Sequence, residues 1–174
     1  MNRGYHEIKE HGKREFPFNI YPCSIPVDFS HVALHWHEEM EIIAVKKGKG
    51  RITVDTVSYP VEEGDILAVF PGQLHAISCG NGERMEYENI IFRLSMLMGD
   101  NGDGCTVHFL KPLQEGQAKN PVLIQRNQPD HEVFGKVIQE LDRFSEIRGN
   151  GYQLAVKGQL FLFFNVSRGN TKKR

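Results

Sequence analysis

Three histidines and one glutamate have residue types and spacings that suit metal or ligand binding. His35 and His37 are two residues apart, so on a β-strand both side chains point to one face, and Glu41 follows on that face. His75 lies on a separate strand or at its entrance, after a Pro-Gly turn. If the two strands are neighbours, the four side chains meet. Imidazole nitrogens and a carboxylate oxygen suit zinc, iron, nickel, copper or manganese, with positions left open for water or a ligand.

A metal-free pocket fits the same four residues. A neutral imidazole offers one donor and one acceptor, which suits the hydroxyl groups of a small molecule. A lone histidine in a strand is usually a structural residue. We therefore assign no role to the remaining histidines, which show no comparable spacing: His6, His11, His31, His108 and His131.

Two further residues are predicted to line the same pocket. Glu39 shares a strand face with His37 and Glu41 if the strand is regular. Tyr87 is the aromatic candidate on a later strand, although plain filling of the interior also explains the alternation of Met85, Tyr87, Asn89 and Ile91. Trp36 points away from the two histidines that flank it, toward packing against an N-terminal arm or a helix.

The strands that must position these residues occupy 31 to about 95. In RITVDTVSY the apolar residues 52 and 54 alternate with polar neighbours, and turn residues recur at short intervals, which predicts a sandwich or barrel. Residues 1–30 are predicted to form an extended arm because Pro17, Pro22 and Pro26 disfavour a helix. Its aromatic residues could cap a barrel mouth. Residues 96–128, rich in Gly, Asn, Asp and Gln, are interpreted as loops with one or two short strands.

The hydrophobic period changes after residue 130. Apolar residues recur every three or four positions over 131–148, which predicts an amphipathic helix with Asp130 as N-cap and Gly149–Gly151 as its end. A second helix is predicted from about Tyr152 to Ser167. Its LFLFFNV block is apolar on more than one face, which favours contact with a second subunit. The candidate contact residues are Leu154, Phe161, Leu162 and Phe164. Burial between two elements of the same chain explains the block equally well.

Composition bounds the class of protein. The chain has 174 residues, 40% of them hydrophobic, and a net charge of -1, typical of a soluble domain and giving no reason to expect nucleic-acid binding. Its three cysteines, without a CxxC spacing, favour a reducing cytoplasm. The polar N-terminus does not resemble a signal peptide, no apolar stretch could span a membrane, and the basic 172–174 cluster is interpreted as a solvated tail.

At the histidine cluster the sequence resembles the cupin superfamily. The first cupin motif, HxHxxxE followed by a glycine, is matched by His35, His37, Glu41 and Gly48. The second motif, a glycine and then PxGxxH, is matched by Gly64, Gly72 and His75. Other motif positions depart, with Phe29, Phe70 and Cys79 replacing a glycine, a proline and an asparagine. The resemblance implies a mostly β fold: a double-stranded β-helix barrel around the cluster, followed here by two C-terminal α-helices.

A narrower resemblance covers almost the whole chain. The run from HWHEEM to QLHAI, followed by YENIIFRLSML, FLKPLQEG and two helices, is similar to the N-terminal sensing domain of AraC-type transcription regulators. It implies that the barrel, residues 31–128, binds a small-molecule effector such as a sugar or other metabolite. It also implies that residues 129–174 pair two chains as a homodimer. In that family a separate helix-turn-helix domain binds DNA. Its pattern is not found here, so the chain is interpreted as a fragment that does not bind DNA specifically by itself.

Three functions are compatible with these features. The first is an effector-sensing and dimerising domain without catalysis. The second is a cupin enzyme, such as a dioxygenase or sugar isomerase, that uses zinc, nickel, iron or manganese. The third is a dimerisation module with an empty barrel. The C-terminal helices favour the first over the second, because a small free-standing enzyme has little need of them.

Overall fold

A computed structural model describes residues 3–100, 102–118 and 120–171. The predicted basic tail at 172–174 lies outside these ranges. The chain divides into two compact units, Met1–Leu123 and Ile124–Arg174.

The first unit is built from short strands. They are β1 Phe18–Ile25, β2 Val32–His35, β3 Met40–Val54, β4 Val57–Glu62, β5 Ile66–Val69, β6 His75–Ser78, β7 Met85–Phe92 and β8 Val122–Ile124. Two 3-10 turns occupy Arg3–Tyr5 and Leu94–Leu97. A π-helical turn, Thr106–Leu110, continues into the short helix α1, Lys111–Gln114.

The long strand β3 belongs to two sheets. Its first half pairs antiparallel with β5 and β7, its second half pairs antiparallel with β4 and β6, and an irregularity separates Val45 from Lys47. One sheet runs in the order β1-β7-β3-β5-β8, and β2 joins the other sheet through β6. Two sheets that share a strand and cover one core form the double-stranded β-helix barrel, which confirms the predicted mostly β fold.

Alternation along the strands builds the core. Along β3, Ile52 and Val54 are buried at 0% and 1% exposure, while Arg51 beside them is exposed. Apolar residues from both sheets pack into one cluster that includes Ile43, Val45, Ile52, Val54, Leu67, Val69, Ile77 and Met85. Each such side chain contributes about 1.5–3 kcal/mol by leaving water. This core fixes the strands that carry the histidines.

Two segments differ from the sequence prediction. The predicted arm, 1–30, contains β1, which pairs with β7 along its whole length. This part of the arm is therefore a strand of the barrel, and the predicted boundary at residue 30 does not separate the arm from the barrel. Pro22 is compatible with β1 because this strand lies at the end of the sheet order, where one edge needs no ladder bond. Residues 96–128 contain a short strand and loops, as predicted, and also helical turns that were not predicted. Asp103 begins one of them, since its carboxylate accepts hydrogen bonds from the Thr106 backbone N–H at 2.7 Å and hydroxyl at 2.6 Å.

The second unit contains the two predicted helices. They are α2 His131–Ile147 and α3 Tyr152–Thr171, the latter longer than predicted. The predicted stripe of α2 is buried, and its Phe134 ring packs edge-on against Phe163 of α3 at 5.1 Å. Asp130 makes no side-chain cap bond, and α2 ends at Arg148, whose φ is 44°. Among the described helices, none combines the length and apolarity needed to cross a membrane.

The α3 helix has two apolar faces. Val156, Leu160, Phe163 and Phe164 are buried within the chain. Leu154, Phe161 and Leu162 lie on the opposite face and are 77%, 39% and 40% exposed. Phe164 was predicted to contact a second subunit, but it is only 7% exposed because it follows Leu160 by four residues, on the buried face.

Candidate ligand and metal site

The four predicted residues come from three elements of the first unit. His35 ends β2, His37 follows it, Glu41 is the second residue of β3 and His75 begins β6. His35 pairs directly with His75 in the β2–β6 ladder. The chain bends at 38–39, so β2 and β3 are separate strands and not one regular strand. The corner between them brings the side chains together.

The ligand atoms of His35, His37, Glu41 and His75 all lie within 4.8 Å of one another, and we call this group the His–Glu cluster. Glu41 Oε2 is 2.9 Å from His37 Nε2 and 3.0 Å from His75 Nε2. His37, Glu41 and His75 are 2%, 2% and 0% exposed, and His35 is half-buried on the open side. The spacing argument therefore predicted a real convergence.

Backbone carbonyls fix the orientation of all three rings. Nδ1 of His35, His37 and His75 donates to the carbonyl oxygens of Ala33, Glu39 and Gln73 at 2.9, 3.1 and 3.0 Å. A carbonyl oxygen only accepts, so each Nδ1 carries the proton and each neutral ring presents the Nε2 lone pair to the centre.

This arrangement fits a bound cation. Neutral Nε2 lone pairs directed at carboxylate oxygens repel one another unless a proton or a cation lies among them. Hydrogen bonds that fix the tautomer of histidine ligands are a regular feature of protein metal sites. The His–Glu cluster can thus hold a divalent transition metal such as zinc, nickel, iron or manganese.

Electrostatic coupling inside the cluster is strong. Burial opposes ionisation of Glu41, but the adjacent His75 and His37 outweigh it and hold the pKa of the carboxyl well below its usual value. Burial likewise opposes the charged form of His75, yet Glu41 raises the pKa of this imidazole. Burial and the nearby His75 lower the pKa of His35. Glu41 is therefore held as a carboxylate beside His75.

The N-terminal segment adds groups that the spacing analysis missed. Glu7 Oε2 lies 3.7 Å from His35 Nε2 and 3.7 Å from His11 Nε2. His11 is 5% exposed, its Nδ1 is 3.2 Å from the Tyr21 hydroxyl, and its ring centre is 6.1 Å from that of His37. The nearby His11 imidazole, aided by the charge of His35, lowers the pKa of Glu7 although burial opposes it. The sequence assigned no role to His11, and no local pattern indicated that it would lie beside the cluster.

Trp36 holds this N-terminal segment against the barrel. Its backbone N–H donates to the Tyr5 carbonyl at 2.9 Å, and its carbonyl accepts from Glu7 N–H at 3.0 Å. Its ring stacks on His6 with centres 4.2 Å apart. The prediction that Trp36 packs against the arm is confirmed, and His6 has a structural role that the sequence did not indicate.

A cavity of about 470 Å³ lies beside the His–Glu cluster. His35 and Glu41 contribute to its wall together with Glu7 and His11 from the N-terminal segment, and Asn89 from β7. Within the described ranges, His11 Nε2 and Asn89 Oδ1 are buried without a hydrogen-bond partner. Unpartnered buried polar atoms are costly, so this wall is suited to a ligand that satisfies them.

Two predicted pocket residues have other positions. Glu39 is 4% exposed and accepts a 2.9 Å hydrogen bond from Arg93 Nε. It is not among the residues that line the cavity, because the bend at 38–39 interrupts the strand alternation. Tyr87 is 1% exposed and packs in the apolar core, where its hydroxyl meets the Cys23 thiol and burial raises its pKa. Filling of the interior, the alternative explanation, describes Tyr87 better.

Comparison with known proteins gives the family. The family model for the AraC-like ligand binding domain matches residues 26–164. The chain belongs to this family. The AraC-like domain is also 27% identical over 88 residues to YdeC of Bacillus subtilis (strain 168), an uncharacterized HTH-type transcriptional regulator. That match covers 50% of the chain and 30% of the relative, so the chain spans less than a third of the regulator's length. The predicted resemblance to AraC-type sensing domains is confirmed.

Solved structures similar to this AraC-like domain include cupins. A cupin 2 conserved barrel domain protein from Salinispora arenicola is 23% identical with a TM-score of 0.41, over 46% of this chain and 66% of that one. A predicted oxalate decarboxylase from Thermotoga maritima is 25% identical with a TM-score of 0.39, over 42% and 64%.

Proposed function

We propose that this AraC-like domain senses a small-molecule effector in the cavity beside the His–Glu cluster, as part of a transcription regulator. The observation that carries the proposal is the cavity wall, where the partnerless His11 Nε2 and Asn89 Oδ1 lie near His35 and Glu41. The volume of about 470 Å³ is in the usual range for small-molecule sites.

The wall favours an effector rich in hydroxyl groups, such as a sugar or another polyol. A hydroxyl both donates and accepts, so it satisfies the amide oxygen of Asn89 and either tautomer of His11. Two aromatic or aliphatic contacts are also available from Tyr21 and Ile91. An effector that contacts both the barrel and the N-terminal segment would bias the segment between two arrangements.

A thermal-shift screen of sugars, polyols and organic acids tests this proposal, with calorimetry for each compound that raises the midpoint. Loss of one buried hydrogen bond in Asn89→Ala should weaken effector binding by about tenfold. The matched control Asn81→Ala changes an exposed turn residue and should bind as the parent does. A compound whose affinity is unchanged by both Asn89→Ala and His11→Ala does not bind in this cavity, and that result would refute the site.

The exposed face of α3 is the proposed dimer contact. Leu154, Phe161 and Leu162 place three large apolar side chains on one side of the helix. Light scattering should give twice 19.9 kDa for the parent and 19.9 kDa for Leu162→Glu. Gln153→Glu, a change at an exposed position of the same helix, should leave the dimer intact. A monomeric parent at high micromolar concentration would contradict the assignment.

We expect residues 1–174 alone not to recognise DNA sequence-specifically, since the chain's net charge is -1. DNA recognition is assigned to another part of the regulator. Tight, sequence-specific binding of the operator by this chain in a gel-shift assay would be incompatible with that division of roles.

A metal-dependent cupin enzyme is the second candidate, favoured by the three imidazoles whose Nε2 atoms converge on Glu41. A metal held by the His–Glu cluster would supply a Lewis acid that polarises a carbonyl or binds oxygen. His35, His37 and His75 would hold it, and Glu41 would neutralise part of its charge. Elemental analysis of untagged protein and turnover that His37→Ala abolishes would support the enzyme. Less than about a tenth of a metal per chain would exclude it.

A further inference from the structure

We propose that Glu7 is a further ligand of a divalent transition metal in the His–Glu cluster, so that metal occupancy fastens the N-terminal segment, Tyr5–His11, onto the barrel. The inference rests on the metal-binding capacity of the cluster and not on the identity of the effector. It makes the segment a part of the metal site.

Glu7 lies at the open side of the cluster. Glu41 Oε2 is 2.9 and 3.0 Å from the Nε2 atoms of His37 and His75, whereas His35 Nε2 has Glu7 Oε2 at 3.7 Å. Atoms bound to one metal at about 2.1 Å lie roughly 3 to 3.5 Å apart. The two Glu41 distances are of this size. The Glu7 oxygen lies 3.7 Å from one ligand atom of the cluster, outside the group of four, so it must move toward the centre to join them.

The charges call for a second carboxylate. Three neutral imidazoles and the single Glu41 carboxylate leave a divalent cation with one uncompensated positive charge in a largely buried site. Such a charge is costly away from water. The Glu7 carboxylate cancels it. Glu7 is 3.7 Å from both flanking imidazoles, which is longer than a hydrogen bond, so its present contacts leave it room to approach a metal.

His11 holds Glu7 from the other side. It is 5% exposed, and its Nε2 has no hydrogen-bond partner in the described part of the chain. When neutral with the proton on Nε2, it can donate to one oxygen of Glu7 while the other approaches the metal. His11 is therefore a positioning residue for the proposed ligand.

Few contacts besides those of Glu7 hold the segment. Two backbone hydrogen bonds and the stack of His6 on Trp36 join it to the barrel. Tyr21 adds two more, since its hydroxyl is 3.2 Å from His11 Nδ1 and its ring lies under the Lys9 ammonium. Tyr5 and Ile8 are 43% and 87% exposed, so the segment buries little apolar surface. A segment held by few buried contacts opens at low free-energy cost, and one added metal bond then changes its occupancy strongly.

The experiment uses chelator-treated, untagged chain titrated with Zn²⁺, followed by calorimetry and by fluorescence. The chain has one tryptophan, and Trp36 stacks on His6 of the segment, so its emission and acrylamide quenching report whether the segment is docked. Zn²⁺ should reduce acrylamide quenching of the parent. Glu7→Gln should bind Zn²⁺ about tenfold more weakly and lose that response. Glu10→Gln, an exposed acid of the same segment, should behave as the parent.

A second variant guards against an indirect effect on folding. Glu7→Asp keeps the charge with a shorter reach and should give an intermediate affinity, and circular dichroism melting should be alike for all four proteins. Unchanged Zn²⁺ affinity in Glu7→Gln, or weakened affinity with the full Trp36 response, would overturn the inference and leave metal binding by the cluster intact. If the parent itself binds no Zn²⁺, the inference is wrong together with the metal site. Effector binding, measured by thermal shift, is a separate outcome.

Discussion

Lowering the pH from 7.5 to 5.5 protonates imidazoles that must be neutral to bind a metal. His35, His37 and His75 each present Nε2 to the centre while Nδ1 already donates to a carbonyl, so a second proton can be added only at the metal-binding nitrogen. Each imidazole that is protonated in the metal-free chain weakens the apparent affinity by up to about tenfold for each pH unit. The apparent affinity should therefore fall by at least about tenfold over this interval, or ~1.4 kcal/mol.

The shifted pKa values alter where the loss begins. Against the effect of burial, Glu41 raises the pKa of His75, so protons compete with Zn²⁺ at this ring up to a higher pH than at an ordinary imidazole. Burial and His75 lower the pKa of His35, so this ring stays neutral and competes less until the solution is more acidic. The two shifts act in opposite directions, so the loss of affinity begins at His75 and reaches His35 at lower pH.

Zn²⁺ calorimetry at the two pH values, in buffers with different ionisation enthalpies, measures both the affinity and the protons released. Metal binding should release protons, and it should release more of them at the lower pH. The variant His108→Gln removes an exposed histidine outside the cluster and should give the same numbers. A loss of affinity below about tenfold, or release of less than about half a proton, would show that the three rings do not bind the metal together.

Three further changes test the fold. Phe163→Ala removes a ring that is 1% exposed and packed on Phe134, and should lower the free energy of unfolding by about 3–5 kcal/mol in urea titration; a loss under about 1 kcal/mol would contradict the tight pairing of α2 with α3. Gly48→Ala places a Cβ against the Arg84 carbonyl oxygen at a φ of +78°, so it should destabilise the barrel by about 2 kcal/mol or more. An unchanged melting temperature would contradict this turn. Arg93→Met leaves the buried Glu39 without the guanidinium that lies 2.9 Å away. It should lower the free energy of unfolding by about 1–2 kcal/mol at pH 7, a value reduced because Arg93 is half-exposed. An unchanged free energy of unfolding would show that Glu39 finds other hydrogen bonds.

The centre of the site could be predicted from the sequence because the spacing of its candidate ligands along the chain is itself informative. His35 and His37 lie two residues apart, and His75 follows a recognisable turn, so strand geometry and the cupin-like motifs both indicated the convergence. The groups around that centre have no informative spacing of this kind. Glu7 and His11 reach it through the backbone ladder with Trp36, a contact between segments about thirty residues apart that no periodicity records.

Predictions from the alternation of residues along a strand were wrong where the chain bends. They were also wrong at the edge of the sheet, where a strand can contain a proline. Glu39 was placed in the pocket on the assumption of a regular strand, and the bend at 38–39 turns it toward Arg93. The strand β1 was not predicted because a proline such as Pro22 is rare in a central strand. An edge strand accommodates it, since one side of that strand makes no ladder hydrogen bonds. The α2 stripe was predicted well, since a long amphipathic period is the strongest local signal.

The carbonyls of Ala33, Glu39 and Gln73 hold the three rings through main-chain atoms alone. Side chains at these three positions can therefore change without releasing the imidazoles, provided that the chain keeps its path. The opposite wall of the cavity is made of side chains such as Asn89 and His11, which do not hold the three imidazole rings in place. Related chains could thus exchange one specificity for another by altering that wall while inheriting a fixed set of nitrogens. For protein engineering, the domain therefore combines a fixed set of imidazole nitrogens with a cavity wall whose side chains can be changed to alter ligand specificity.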